Sequence, residues 1–133
     1  MSNSPFAAYE QQSKEFMSPR ELEASVLTRA GLKLKQCQEQ WNTPEKDKLL
    51  DEAVRFNQKV WSFFQSELSM PDNPLPKALR EDILNLSLFI DKRLFEVLAY
   101  PSDPSKLSII IDINFNLAAG LRTNPTSENR QEP

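Results

Sequence analysis

Histidine is absent from this 133-residue chain, cysteine occurs once, at Cys37, and glycine twice, at Gly31 and Gly120. Each shortage excludes a class of chemistry. Without histidine there is no Ser-His-Asp or Cys-His nucleophile system. One cysteine and no histidine cannot assemble a zinc site of four cysteines, or of two cysteines and two histidines. A single cysteine also excludes a disulfide framework within a monomer and reads as an intracellular chain. Two glycines argue against glycine-rich phosphate loops and against tight hairpins, which favour Asn-Gly or Asp-Gly. No apolar run approaches the ~18 residues that a membrane-crossing helix needs. The first residues, MSNSPFAAYEQQ, lack the basic and apolar regions of a signal peptide, so the expected location is the cytoplasm. A net charge of −3 and a pI near 5.1 make a poor electrostatic match to nucleic acid.

Proline, by contrast, is plentiful, with ten residues. Several stand where helices begin. Ser4-Pro5 predicts a short helix over about 5–16, with Phe6, Tyr9, Ser13 and Phe16 on one face. Ser18-Pro19-Arg20-Glu21 is a stronger start, with Ser18 as cap and Glu21 completing a capping box. Leu22, Val26, Ala30, Leu34, Cys37 and Trp41 then recur at helical spacing to about Gln40. Gly31 costs roughly 1 kcal/mol relative to alanine inside a helix, which close approach of another helix would explain. Thr43-Pro44 predicts a third start, with Pro44 opening a helix to about Leu68. Its core stripe is Leu49, Ala53, Phe56, Val60 and Phe64, widened by Leu50, Val54 and Trp61. Asp103, as cap, and Pro104 open a last helix with Leu107, Ile110, Ile111, Asn114, Leu117, Ala118 and Leu121 on one face. The β-branched Ile109, Ile111 and Ile113 favour a strand taken alone. The full spacing, the proline start and Gly120 near a C-cap position favour a helix.

The stretch Asn73 to Tyr100 stands out. Pro74 and Pro76 lead into an unbroken helical pattern in which Leu79, Ile83, Leu86, Ile90, Leu94 and Val97 form one apolar stripe. Leu84, Leu88 and Phe95 form a second, narrower stripe, well round from the first. A helix apolar on two sides is expected to be central to the domain or to keep one face for a partner. The expected fold is all-α, an antiparallel bundle of four long helices plus a short N-terminal helix. The expected organisation is an N-terminal segment over 1–17, a helical domain over 18–122 and a disordered tail over 123–133, where no apolar residue exceeds proline in size.

Candidate chemistry is sparse, and no catalytic, cofactor or metal residue is expected. The acidic neighbours Glu81 and Asp82, like Asp51 and Glu52, point about 100° apart on a helix and read as solvated surface. Arg29, Lys33 and Lys35 lack the interleaved aromatics of a nucleic-acid platform. Trp41 and Trp61 read as core packing, and Cys37 as a small buried hydrophobe. Asn114 lies within the final apolar stripe, where an unpaired amide would cost on the order of 1–3 kcal/mol. It therefore either fixes helix register through buried hydrogen bonds or, with Asn116, Gly120 and Leu121, faces a groove for a partner helix.

The order of motifs resembles one family, the flagellar biosynthesis regulator FlaF. The matching pieces are Tyr9, Pro19-Arg20-Glu21-Leu22-Glu23-Ala24, Trp41, Leu50-Asp51-Glu52-Ala53, Asn57, Trp61, Asn73-Pro74-Leu75-Pro76, Leu79-Arg80, Ile83-Leu84-Asn85-Leu86, Asn114 and Asn116-Leu117-Ala118-Ala119-Gly120-Leu121. Phe115 departs from the pattern, standing where a basic or polar residue is expected. The resemblance implies a cytoplasmic partner of flagellin that acts in its synthesis and export, similar to a secretion chaperone and linked in function to the regulator FlbT. The alternative is an RNA-binding regulator of flagellin message. The candidate partner-binding residues are Leu75, Leu84, Leu88, Phe95, Asn114, Asn116, Gly120 and Leu121.

Overall fold

The computed structural model describes residues 19–123, and these form four α-helices with no strand among them. The helices are α1 (Pro19–Glu39), α2 (Lys46–Leu68), α3 (Lys77–Ala99) and α4 (Ser108–Thr123), with a single 3-10 turn, Pro104–Leu107, leading into α4. The expected short helix over 5–16 and all of the tail beyond Thr123 lie outside the described residues. Thr123 itself is the last residue of α4, its hydroxyl donating to the Ala119 carbonyl at 3.0 Å.

The starts and ends follow local chemistry, with one adjustment at a start and one at an end. Asp103 caps the 3-10 turn as expected: its Oδ1 accepts from the Ser105 backbone N–H at 2.9 Å and from the Ser105 hydroxyl at 2.8 Å. Thr43-Pro44, in contrast, forms a turn rather than a helix start, and α2 begins at Lys46. The Thr43 hydroxyl donates to the Gln40 carbonyl at 2.8 Å and accepts from Glu45 N–H at 3.3 Å. It thus closes the α1–α2 connection instead of capping α2. Gly120 is not a C-cap, because α4 runs through it to Thr123 and no glycine has positive φ. The isoleucines of α4 sit in a helix, where Ile110 and Ile111 are buried and Ile109 is exposed.

The arrangement centres on α1, which packs most extensively on α4 and then on α2, and also meets the 3-10 turn. Ala24, Leu27, Ala30, Leu34 and Cys37 are fully buried, an arc wider than one stripe. Small residues make this possible. A Cβ added to Gly31 would lie 2.6 Å from Cε1 of Phe115, so the side chain of that α4 residue lies directly over the glycine. The crowding at Gly31 thus comes from one side chain of α4, Phe115, the residue that departs from the pattern of the resemblance. Across α2, Leu50, Ala53, Val54, Phe56, Val60, Trp61 and Phe64 are buried as their spacing predicts.

The Asn73–Tyr100 stretch is not the middle of the domain. Its helix, α3, packs against α2 and, through a smaller contact, against the 3-10 turn. Ile83, Ser87, Ile90, Leu94 and Val97 are its buried line. Leu79 and Leu86, expected in the core, are exposed. They fall at the edge of the arc that α2 covers, and Ser87 occupies the position between Ile83 and Ile90. Its hydroxyl donates to the Leu84 carbonyl at 2.6 Å and accepts from Gln65 Nε2 at 3.0 Å, so it is buried without an unpaired group.

Candidate partner-binding surface

Six of the eight candidate residues fall into three separate places, and Asn116 and Gly120 lie apart from them on α4. Leu84, Leu88 and Phe95 lie on one flank of α3. Leu84 is half-buried against the core, while Leu88 is 64% exposed and Phe95 69% exposed. The flank is held from behind. Gln65 of α2 donates through Nε2 to Asp91 Oδ2 at 2.9 Å as well as to Ser87, and Arg93 Nη1 donates to the Lys106 carbonyl at 3.1 Å. These bonds fix the rotation of α3 and keep the Leu88–Phe95 side turned outward. The opposite flank carries exposed Phe89, with the Arg93 guanidinium 5.3 Å from its ring centre.

Leu75 and Leu121 meet at a second place, a cavity of about 250 Å3 where the ends of all four helices converge. Phe64 and Leu68 from α2, Ile83 from α3 and Leu117 from α4 share its wall, and Pro19 and Pro74 stand at it as well. The loop before α3 is folded to deliver Leu75. Asn73 Nδ2 donates to the Glu67 carbonyl at 3.0 Å, its Oδ1 accepts from Leu75 N–H at 3.0 Å, and Arg80 Nε donates to the Leu75 carbonyl at 3.1 Å. An asparagine that bonds its own backbone two residues on makes a turn, and here the turn directs Leu75 inward. Gly120 is half-buried, and a Cβ added there meets nothing within 4 Å. Asn116 is exposed on α4.

Asn114 occupies the third place, the interior. It is fully buried. Its Oδ1 accepts from Trp61 Nε1 at 2.9 Å, and its Nδ2 donates to Asn57 Oδ1 at 2.7 Å. Asn57, also fully buried, donates through Nδ2 to the Ala53 carbonyl at 2.8 Å and to the Ala30 carbonyl of α1 at 3.1 Å. One chain of hydrogen bonds therefore joins α4, α2 and α1. The two readings of Asn114 part at this point. Its amide is engaged inside the core, as a register-setting group is, and offers a partner no contact. Asn57 and Ser87 are the buried polar residues that periodicity passes over. The available signal was a polar side chain on an apolar stripe: Asn57 four residues after Ala53, Ser87 four after Ile83.

Cys37 is fully buried and reduced. Burial pushes its thiol up from the ordinary range and the charge of Lys46 draws it part of the way back, so it remains a protonated, apolar packing group. Lys46 lies with its Nζ 4.7 Å from the centre of the Trp41 ring, which it covers at the α1–α2 turn. Among the described residues no group of three or more acidic or cysteine side chains is placed to hold a metal ion, and no helix is long and apolar enough to cross a membrane.

Among curated proteins and among solved structures nothing matches the chain. A family model does, the one described as flagellar protein FlaF, over residues 5–121.

Proposed function

The chain belongs to the FlaF family of flagellar proteins, and on that premise we propose that it binds flagellin in the cytoplasm, promotes its export and feeds back on its synthesis, without catalysing a reaction. The observation that carries this reading is the outward flank of α3. Leu88 and Phe95 stand exposed beside half-buried Leu84, on a helix that among the described elements packs chiefly against α2. Seven residues separate Leu88 from Phe95, two helical turns, so their side chains project in nearly the same direction. An amphipathic helix laid along this flank meets two large apolar anchors at the spacing that helix-in-groove recognition uses.

Flagellin suits such a surface. Its terminal segments carry apolar stripes that are unpaired before assembly, and a protein that covers them blocks premature polymerisation. Ordering such a segment costs free energy, so the apolar contact must be continuous rather than a single side chain. We read the four helices as an antiparallel bundle whose side beyond α3 is left for the incoming helix. A functional link to the regulator FlbT follows if export and synthesis are coupled through flagellin occupancy.

The test is calorimetric titration of the purified chain with a flagellin terminal peptide, set beside Leu88→Asp and Phe95→Asp. Both variants are expected to unfold at the wild-type temperature and to lose affinity by tenfold or more. Unchanged affinity overturns the site. A large loss of stability shows instead that the flank is covered within the chain. Filter binding of the flagellin message, unaffected by either substitution, would move the reading to RNA.

A further inference from the structure

We propose that the chain self-associates through α3, two copies lying antiparallel along the flank that carries Leu86 and Phe89. The flank is defined by the buried line of the helix. Asp82, Leu86, Phe89, Arg93 and Glu96 each directly precede a buried residue of α3, namely Ile83, Ser87, Ile90, Leu94 and Val97. Adjacent residues on a helix point about 100° apart, so these five side chains share one flank, turned away from the packed face. Leu79 extends it toward the start of the helix. Leu88 and Phe95, each one residue after the buried line, lie on the other flank. Leu79, Leu86 and Phe89 are exposed, as are Asp82 and Glu96.

Spacing and charge select the occupant. From Leu79 to Glu96 the steps along the flank are three, four, three, four and three, the spacing of a seam between paired helices. That series reads the same in both directions, so a second copy laid antiparallel meets the first layer by layer. Leu86 then faces the partner's Phe89, and Phe89 faces the partner's Leu86, which puts two apolar layers at the two-fold axis. Outside them Asp82 faces the partner's Arg93, and Arg93 the partner's Asp82, an opposite-charge pair on each side of the centre. At the rim Glu96 lies beside the partner's Leu79 and keeps its contact with Arg93 of its own chain, 3.6 Å away. A parallel copy would instead set Asp82 beside Asp82 and Arg93 beside Arg93, where like charges repel. The flank is complementary to itself in one orientation, as an isologous two-fold contact requires.

Arg93 is already held in place for this pairing. Its Nη1 donates to the Lys106 carbonyl at 3.1 Å, and its guanidinium stands 5.3 Å from the centre of the Phe89 ring. Meeting a second copy's carboxylate therefore costs little further side-chain order. The contact also covers Leu79 and Leu86, apolar residues that the packing of α3 leaves exposed. One helix pair of this length buries roughly 1,000 Å2 in total, the lower bound of a specific interface. The expected dimer is therefore reversible, with a dissociation constant of about micromolar or weaker.

This inference does not depend on what meets the Leu88–Phe95 flank. It is tested by sedimentation equilibrium of the full chain from micromolar to near-millimolar concentration, where a monomer–dimer equilibrium is expected. Asp82→Arg sets arginine against arginine on both sides of the axis and is expected to weaken the dimer at least tenfold. Arg93→Glu, which sets acid against acid, is expected to do the same. Mixing the two variants restores opposite charge at both places and is expected to return a dimer containing one of each. A chain that stays monomeric throughout overturns the proposal. So does a dimer that neither variant weakens, and so does a mixture of the two folded variants that does not recover. Arg93→Glu also gives up the Lys106 carbonyl bond, so its folding is checked by thermal melting. If it does not fold, Asp82→Arg decides alone, because Asp82 is exposed. Leu86→Asp, beside the axis, is expected to abolish the dimer while leaving the melting temperature of the dilute chain close to that of the wild type. A dilute Leu86→Asp chain that melts many degrees lower shows that the flank is covered within one chain, and overturns the proposal.

Discussion

Helices α1 and α3 are nearly equal in length, 21 and 23 residues, yet they occupy opposite situations. α3 carries the larger set of bulky apolar side chains, with Leu79, Leu86, Leu88, Phe89 and Phe95 exposed on it. α1 has fewer and smaller ones, but Ala24, Leu27, Ala30, Leu34 and Cys37 are all inaccessible. The difference teaches what makes a helix central. A helix surrounded by others needs short side chains where its neighbours press close: α1 has Ala24 and Ala30 fully buried, and Gly31 beneath the Phe115 ring. Bulky residues on several sides hold neighbours at a distance, so α3 sits at the edge and turns apolar surface outward. Surplus apolar surface on an edge helix is the feature on which the proposed binding role of α3 rests.

The most direct way to break this comparison is to shorten one leucine on each helix. Leu34→Ala in α1 is expected to destabilise the protein by about 2–5 kcal/mol, since it opens a cavity in a fully packed site. Leu88→Ala in α3 is expected to change stability by less than about 0.5 kcal/mol. Urea denaturation measures both. Equal losses would mean that α3 is covered on its outer flank.

Comparable in size is Asn114→Leu. The substitution preserves bulk but leaves the Trp61 N–H and the Asn57 Oδ1 buried without those partners. Each such group costs about 1–3 kcal/mol, so a loss of about 2–6 kcal/mol is expected. Adding Trp61→Phe removes the orphaned N–H but opens space in a fully buried site, so it should recover little of the loss. A stabilised single variant would show that the network is dispensable. The asparagine link joins α1, α2 and α4 through buried groups, while α3 is held to α2 through Gln65 at a part-buried site.

Gly31→Ala carries a smaller effect with two opposing parts. Alanine raises helix propensity by up to about 1 kcal/mol. Its methyl would lie 2.6 Å from the Phe115 ring, and overpacking costs about 1–3 kcal/mol. A net loss of about 1 kcal/mol is expected by thermal or urea unfolding. Adding Phe115→Leu should turn it into a gain relative to Phe115→Leu alone. If Gly31→Ala is stabilising by itself, α4 does not press on α1 there, and the account of α1 as a closely surrounded helix weakens.

Much of this was legible in the residues. The four helices and most of their ends follow from apolar spacing and from Pro19, Pro76 and Asp103. The cores of α2 and α4 follow almost residue by residue. Which helix lies in the middle did not follow, because a wheel shows where apolar groups are and not which neighbour covers them. That is why Leu79 and Leu86 read as core and Ser87 was passed over. Asn114 could be singled out as needing a partner from its own stripe. The partners themselves, Asn57 and Trp61, lie 57 and 53 residues away and become visible only once α2 and α4 are set against each other. The same limit applies to Leu75 and Leu121, which share a cavity that no local pattern marks.

The smallest expected effect concerns the joint between the two regions. Asp103 starts the 3-10 turn that passes the chain from α3 to α4, and that turn touches α1, α3 and α4. The hydroxyl and then the backbone N–H of Ser105 hydrogen-bond its carboxylate and hold its pKa below the ordinary aspartate range, with Lys106 adding a little in the same direction. A depressed folded-state pKa means that folding favours the ionised form. The contribution is therefore complete above the unfolded-state pKa and is lost as pH falls through the lower folded-state value. Asp103→Ala should lower the urea midpoint slightly at pH 7, and the gap from wild type should narrow as the pH drops below about 4, the ordinary aspartate value. Asp103→Asn keeps an acceptor oxygen but no charge, so its midpoint should fall between the two at neutral pH and depend on pH less than the wild type does. The carboxylate is exposed, so both differences are small and fade with added salt to the extent that charge rather than the cap bond carries them. A gap between Asp103→Ala and wild type that stays constant from neutral to acid pH would assign the role to the shape of the turn alone. A gap that widens in acid would reverse the sign of the linkage and remove Asp103 from the joint.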